Sequence, residues 1–326
     1  MSSVEDPTAT LVRLLRTYML VVKDDGSKAN IHVSQERHDR ELLKKVDGQV
    51  TVGSEHSDEH KLSFDGNLRR RMSLAHVNVW VLDKPEQDTV GRKMRDKIRS
   101  DVNRAIREKR NKPNTANYDY AGLGNGSTTH KIYQTASATE PSPSDVSWSE
   151  LAEEDYRKLW YSEDDRFSKS TVENGEHVLM LFRFKIDADR TVLKRLVVEF
   201  EGYGTAPSGN GVTIEVWNTI AETWQNAVTG TGENDETLTV TIAANPADYV
   251  DDDGFVFLLA ETTNSSDGID PAVLFCDYAE VEFTVNGITY ADVVSYRDID
   301  EVRVKPFVWR TEFTVKTWLF ESVPVT

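Results

Sequence analysis

Residues 178–202 read VLMLFRFKIDADRTVLKRLVVEFEG, and residues 272–286 read AVLFCDYAEVEFTVN. Apolar and β-branched residues fill or alternate through both stretches, and Gly202 and Asn286-Gly287 end them. Such bounded runs predict strands. The pattern extends over the whole region, with strands expected at 178–186, 193–202, 211–217, 236–243, 254–261, 272–286 and 288–295. Turn residues separate them at Pro207-Ser208-Gly209, Gly230, Gly232, Pro246, Asp253-Gly254 and Asp267-Gly268. Short strands at this spacing predict a β-sandwich of jelly-roll type.

Upstream, residues 114–176 read as a connector. Gly122 to Ser127 is glycine-rich, and Pro141 and Pro143 lie in a Ser/Thr-rich patch. A short helix is expected between Trp148 and Trp160. Further upstream the pattern is mixed. Asp6 and Pro7 suit a helix start, and Leu11, Leu14, Leu15 and Tyr18 recur at helical spacing. Residues 31–33 and 49–52 read as short strands, 35–47 as a loop or helical turn, and 53–60 as a polar hairpin tip. Met72 to Leu82 alternates as a strand, buried on both faces at its end. Asp88 is the expected cap of a basic helix whose apolar face is Val90, Met94, Ile98, Val102 and Ile106. Residues 307–319 alternate again. Their charge matches the first unit, so the chain is expected to return and complete that unit's sheet. The expected fold class is therefore α+β: a small α/β domain of helices on a mixed or antiparallel sheet, over 1–115 plus 302–326. A linker over 116–176 and a large inserted all-β jelly-roll sandwich over 177–301 complete the expectation.

Charge follows the same division. The 326 residues carry a net charge of −17. Residues 1–120 contribute +4, residues 121–300 contribute −22, and residues 301–326 contribute +1. An acidic surface argues against simple DNA wrapping and suits solubility in high salt. No run approaches the roughly 20 apolar residues of a spanning helix, so no membrane partner is expected. Met1 to Thr10 has no apolar signal-peptide region. A single cysteine, Cys276, excludes an internal disulfide and a Cys-rich zinc site.

The first unit resembles the tail terminator and tail completion proteins of tailed viruses. The resemblance lies in a leading helix, short strands, Val77-Asn78-Val79-Trp80-Val81, a basic helix and a closing aromatic strand. Trp80 to Pro113 looks like archaeal versions, and the acidity suits a haloarchaeal host. The resemblance implies a virion structural protein of the tail or neck, held in the host cytoplasm during assembly. It would form a homo-oligomeric ring, of six subunits, that caps the tail tube protein and meets the head-neck connector protein, with genomic DNA passing through the channel. It implies no enzyme and no cofactor. The insertion resembles jelly-roll modules of the carbohydrate-binding or discoidin-like kind, carried by Ile214-Glu215-Val216-Trp217-Asn218, Glu222-Thr223-Trp224, Ala247-Asp248-Tyr249-Val250 and Phe275 to Val281. The alternative function is thus a carbohydrate-binding or adhesion module of the virion, with host surface glycans as partners.

Candidate sites follow. Arg92, Arg95, Arg99, Arg104, Arg107 and Arg110 could face a ring neighbour or a DNA channel. Subunit contact is the better functional reading, because salt screens a purely electrostatic grip; the plain alternative is a solvated helix face. Trp217, Trp224 and Tyr249 could contact a glycan, with core packing as the default. Glu55 to His60 has metal-ligand residue types but no helical context, so a loop tip is expected and no metal is assigned. The glycines at 122, 124 and 126 lack the strand and helix of a dinucleotide loop. Asp251-Asp252-Asp253-Gly254 reads as an acidic turn without EF-hand spacing. Cys276 reads as a small core residue, and no GxSxG elbow accompanies the seven histidines. No catalytic residue is assigned.

Overall fold

The computed structural model describes residues 3–35, 37–63, 68–84, 90–163, 165–301 and 305–322. The chain divides into two compact units. The first holds Ser3–Ala116 and Val285–Thr326, and the second holds Asn117–Thr284.

The first unit is built on a five-stranded sheet. Its strands are β1 (Ile31–Ser34), β2 (Gly48–Lys61), β3 (Leu68–Leu82), β15 (Tyr290–Glu301) and β16 (Val308–Ser322), in the order β1-β2-β3-β16-β15. β1 runs parallel to β2, and the other pairs are antiparallel. β16 pairs with β3 along its full length, from Val308 opposite Leu82 to Ser322 opposite Leu68. Helix α1 (Pro7–Tyr18) starts where Asp6 accepts the Thr8 N–H at 2.8 Å. Helix α3 (Gly91–Glu108) has no side-chain cap of its own. Instead Asp83, just past the end of β3, accepts the Gly91 N–H at 2.9 Å. The expected cap, Asp88, lies outside the described residues. Leu11, Leu14 and Leu15 of α1 and Ile98, Val102 and Ile106 of α3 bury against Val50, Val77, Val79, Phe313 and Val315. Val90, expected on that apolar face, is exposed ahead of the helix. On the other face Trp80 and Leu82 pack with Leu43 of the short α2 (Arg40–Lys45).

The second unit has two sheets. Its other strands are β4 (Thr115–Tyr118), β5 (Lys131–Ser137), β6 (Ser149–Glu150), β7 (Phe167–Thr171), β8 (His177–Lys185), β9 (Leu193–Thr205), β10 (Val212–Asn218), β11 (Thr223–Thr229), β12 (Glu236–Ile242), β13 (Phe255–Thr262) and β14 (Ala272–Val285). One sheet runs β11-β10-β13-β8-β5-β6. The other runs β12-β9-β14-β4, with β7 also paired to β14. Alternate residues of both sheets fill the space between them. Phe182 and Phe200 meet edge to face there, with ring centroids 5.9 Å apart. This is a jelly-roll-like β-sandwich.

The α+β fold class, with a tail-terminator-like domain of helices on a sheet, is overturned. Among the described residues 47% lie in strands and 16% in helices. Sheets dominate even the first unit: its two hairpins use strands of 12 to 15 residues, while α2 is little more than a single turn; in the second unit α4 (Glu153–Arg157) is equally short. Three local expectations also differ. Residues 53–60 are not a hairpin tip but the outer half of β2, paired with β3 as far as Lys61 opposite Arg69. Residues 288–295 contribute to β15 in the first unit's sheet, not to the sandwich. Residues 116–176 are not a bare connector. They supply β5, β6 and β7 to the sandwich, and Trp148 to Trp160 holds β6 and α4 rather than one helix.

Candidate functional site

The six-stranded sheet of the second unit has one face in the core and one outside. Strands alternate sides, so Phe182, Val216, Val256 and Leu258 point inward and are fully buried. Their neighbours Arg183, Trp217, Phe255 and Phe257 point outward and are half-buried. Arg183 lies opposite Phe257 in the β8–β13 register. A cleft of about 830 Å³ opens above them. Ser142 to Asp145 and Trp148 line it from the segment after β5, Tyr133 lines it from β5 itself, and Thr219, Glu222, Asp251 and Asp253 line it from turns.

Arg183 is the centre of this surface. Its guanidinium carbon lies 4.5 Å from the Phe255 ring centroid and 5.9 Å from that of Tyr133. Aromatic faces on two sides hold a planar cation in place. Its Nε is buried and has no hydrogen-bond partner among the described residues. A buried donor without a partner is costly unless a ligand oxygen completes it. Trp217 meets Trp224 edge to face at 5.0 Å. The Trp224 indole N–H donates to the Pro141 carbonyl at 3.0 Å, and that of Trp148 donates to the Ser142 carbonyl at 2.9 Å. Asp251 accepts the Phe255 N–H at 2.7 Å, and Lys185 donates to the Asp253 carbonyl. Four carboxylates and one guanidinium thus face the cleft, whose floor is aromatic.

The residues singled out from the sequence divide sharply. Trp217 lies in the cleft, and Trp224 braces both Trp217 and the segment at Pro141. Tyr249 does not reach the cleft: it is 8% exposed, and its hydroxyl donates to Gln225 at 2.9 Å while accepting from Asn226 at 2.8 Å. Of the six arginines, Arg92, Arg104, Arg107 and Arg110 are exposed. Arg95 is buried, paired with Asp96 at 2.8 Å and Asp298 at 3.3 Å, and lies over Trp309, so it cannot face a channel or a neighbour. Arg99 pairs with Asp298, and Arg104 with Asp101 and Glu108. Among the described residues no three His, Cys, Asp or Glu side chains are grouped to hold a metal. In the glycine-rich turn the amides of Asn125 and Gly126 are taken by Glu153 and Glu150. Cys276 is buried, and burial pushes its thiol well above its ordinary value.

Tyr133, Trp148, Arg183, Phe255 and Phe257 were not foreseen. Two of them fall in the stretch read as a connector. The others sit in strands whose apolar residues were assigned to the core. The available signal was Arg183 inside an otherwise apolar run, together with the outward register of Phe255 and Phe257 against Val256 and Leu258.

Among the described residues no helix is long and apolar enough to cross a membrane. A family model described as "Uncharacterized protein, C-terminal domain" matches residues 127–285. No curated protein matches the chain. Among solved structures, a "xylan-binding module CBM15" is similar at 12% identity over 52% of this chain and 95% of that one, with a TM-score of 0.28. The enzymatically active domain of tailspike protein 4 of bacteriophage CBA120 is similar at 10% identity, with a TM-score of 0.25. It is matched over 50% of this chain, which spans 21% of that one. A "Family 16 Carbohydrate Binding Module-2" is similar at 11% identity over 33% of this chain and 77% of that one, with a TM-score of 0.20.

Proposed function

We propose that the outer face of β8, β10 and β13 binds a glycan chain. The observation that carries this is the cleft floor: Arg183 held between Phe255 and Tyr133 with an unsatisfied buried donor, beside Trp217. Aromatic rings offer flat apolar area to the C–H face of a sugar, and a fixed guanidinium donates to its hydroxyl oxygens. The four carboxylates accept from further hydroxyls and repel anions. The ligand class is therefore a neutral or amino-bearing glycan, without carboxylate or sulfate groups. In an adhesion role, such a cleft would attach its bearer to host surface glycans.

The test is a glycan array followed by calorimetry in molar salt. Neutral or amino-bearing chains bind and polyuronates do not. Trp217→Ala weakens binding about tenfold to a hundredfold, the equivalent of losing about 1.5–3 kcal/mol of aromatic burial. Arg183→Ala weakens it comparably, and circular dichroism is unchanged in both. Binding that survives both substitutions, or prefers polyuronates, overturns the reading.

A further inference from the structure

Three carboxylates lie beside the cleft without lining it. Glu215 is on β10 and Glu261 on β13. Thr213 pairs with Glu261 and Glu215 with Leu259, so the two glutamates are diagonal neighbours on the outer face of adjacent strands. Glu140 reaches both of them from the segment that follows β5, within hydrogen-bond contact. Among the described residues no cation figures among the groups that act on Glu215 and Glu261. On the flanking strands β8 presents Leu179 opposite Glu261, and β11 presents Gln225, Val228 and Thr229 along β10. Further along β8, His177 bonds through Nδ1 to the Thr262 carbonyl at 2.6 Å.

Carboxylates in direct contact cannot all be ionised, so the cluster retains a proton and uses it as a hydrogen bond. Burial and the neighbouring carboxylates push Glu215 up to about 7 and Glu261 up to about 8.

What the cluster does hold is the segment. Residues 142–145 and Trp148 form a wall of the cleft. The segment carries the fully exposed Val146, and much of its bonding is internal, as from Asp145 to Ser142 and from Trp148 to Ser142. The Trp224–Pro141 bond and Glu140 tie it to the outer face of the sheet.

We infer that Glu140, Glu215 and Glu261 form a proton-sharing clasp that holds residues 138–148 over the sheet, and that the clasp opens, releasing glycan, when it loses its last proton. This regulation rests on the glycan reading of the cleft. In the open state three like charges repel across the strands and the segment lifts, taking Trp148 from the wall.

Two measurements test it on the whole protein. The first is affinity for a neutral glycan identified on the array, compared at about pH 6 and about pH 10. A neutral chain does not titrate, so the change belongs to the protein. Wild type weakens at least about tenfold at the higher pH. Glu261→Gln, whose amide keeps donating at any pH, weakens less than about twofold. The second needs no glycan: carboxyl carbons of the three glutamates and amides of 138–148 are followed by NMR across the same range. The amides move with the carboxyls in wild type and stay still in Glu261→Gln. Flat affinity in wild type, or amides that ignore the carboxyl titration, overturns the clasp. If no glycan binds at any pH, the cleft reading fails alone, and the amide titration still decides the clasp.

Discussion

Asp83 performs two tasks with one oxygen. It accepts the first amide of α3 at 2.9 Å and the Trp309 indole N–H at 2.8 Å, tying β3, α3 and β16 together. Helix N-termini leave orphan donors, and removing a capping side chain costs about 0.5–2 kcal/mol. Asp83→Ala is expected to cost about 1–3 kcal/mol once the stranded indole is added, read as a lower denaturant midpoint at unchanged slope. Asp83→Asn keeps an acceptor and loses less. A deeper case is Arg13, whose guanidinium meets Glu5 in the core beside Thr10, which donates to the same carboxylate at 2.6 Å. Removing one member leaves a buried charge without its partner. Arg13→Met is therefore expected to cost about 3–5 kcal/mol, with much of it recovered when Glu5→Gln is added. Glu215 and Glu261 act through pH instead. Their folded values, about 7 and about 8, exceed the ordinary 4.5. Between 4.5 and 8 the native state holds more protons than the unfolded state, so stability falls as pH rises through that window and levels off above it. Glu261→Gln flattens the slope, which denaturation midpoints measured across the window detect.

At the scale of elements, periodicity was a good guide wherever one face of an element is buried and the other is not. α1 begins at Pro7, capped by Asp6 as its sequence predicts, because capping chemistry and an apolar stripe agree there. β8, β9, β10, β12, β13 and β14 each fall within a few residues of their predicted runs. The failures have a common cause. β2 continues through GSEHSDEHK, which carries no apolar alternation, because its partner fixes it. Glu59 meets Arg69 and Arg71 across the pair, and Ser57 meets Ser73. Cross-strand partners far away in sequence are invisible to a local reading. Residues 131–137, KIYQTAS, form a strand in the same way, paired along their length with β8. The site was legible to the same extent. Trp217 stood out as an aromatic residue near a turn. Arg183 did not, because its role depends on Phe255 and Tyr133 arriving from other strands.

For the whole molecule, the point where the chain leaves the first unit is bonded to the point where it returns. The Val285 N–H donates to the Asn114 carbonyl at 2.9 Å, and the Asn114 side chain donates to the Val285 carbonyl at 2.8 Å. Among the described residues, the buried side chains of the first unit's main core come from Leu11 to Ile106 and from Ile288 to Leu319. Among the described residues, the cleft is lined from Tyr133 to Phe257. Each unit thus has its own core, and a short glycine bridge can replace the other at a loop-closure cost that grows slowly with length. Joining 116 to 285 is expected to leave a cooperatively folding first unit, and residues 117–284 alone are expected to fold with the glycan cleft intact. Charge then separates the two pieces. Residues 121–300 hold 33 acidic against 11 basic residues, whereas residues 1–120 are net positive. Repulsion among like charges weakens as salt shortens its range from about 10 Å at 0.1 M to about 3 Å at 1 M. The melting temperature of the 117–284 piece should therefore rise clearly between those salt concentrations, and that of the joined first unit should change little. Equal responses in the two pieces would show that the stability of the sandwich does not depend on screening its acidic surface.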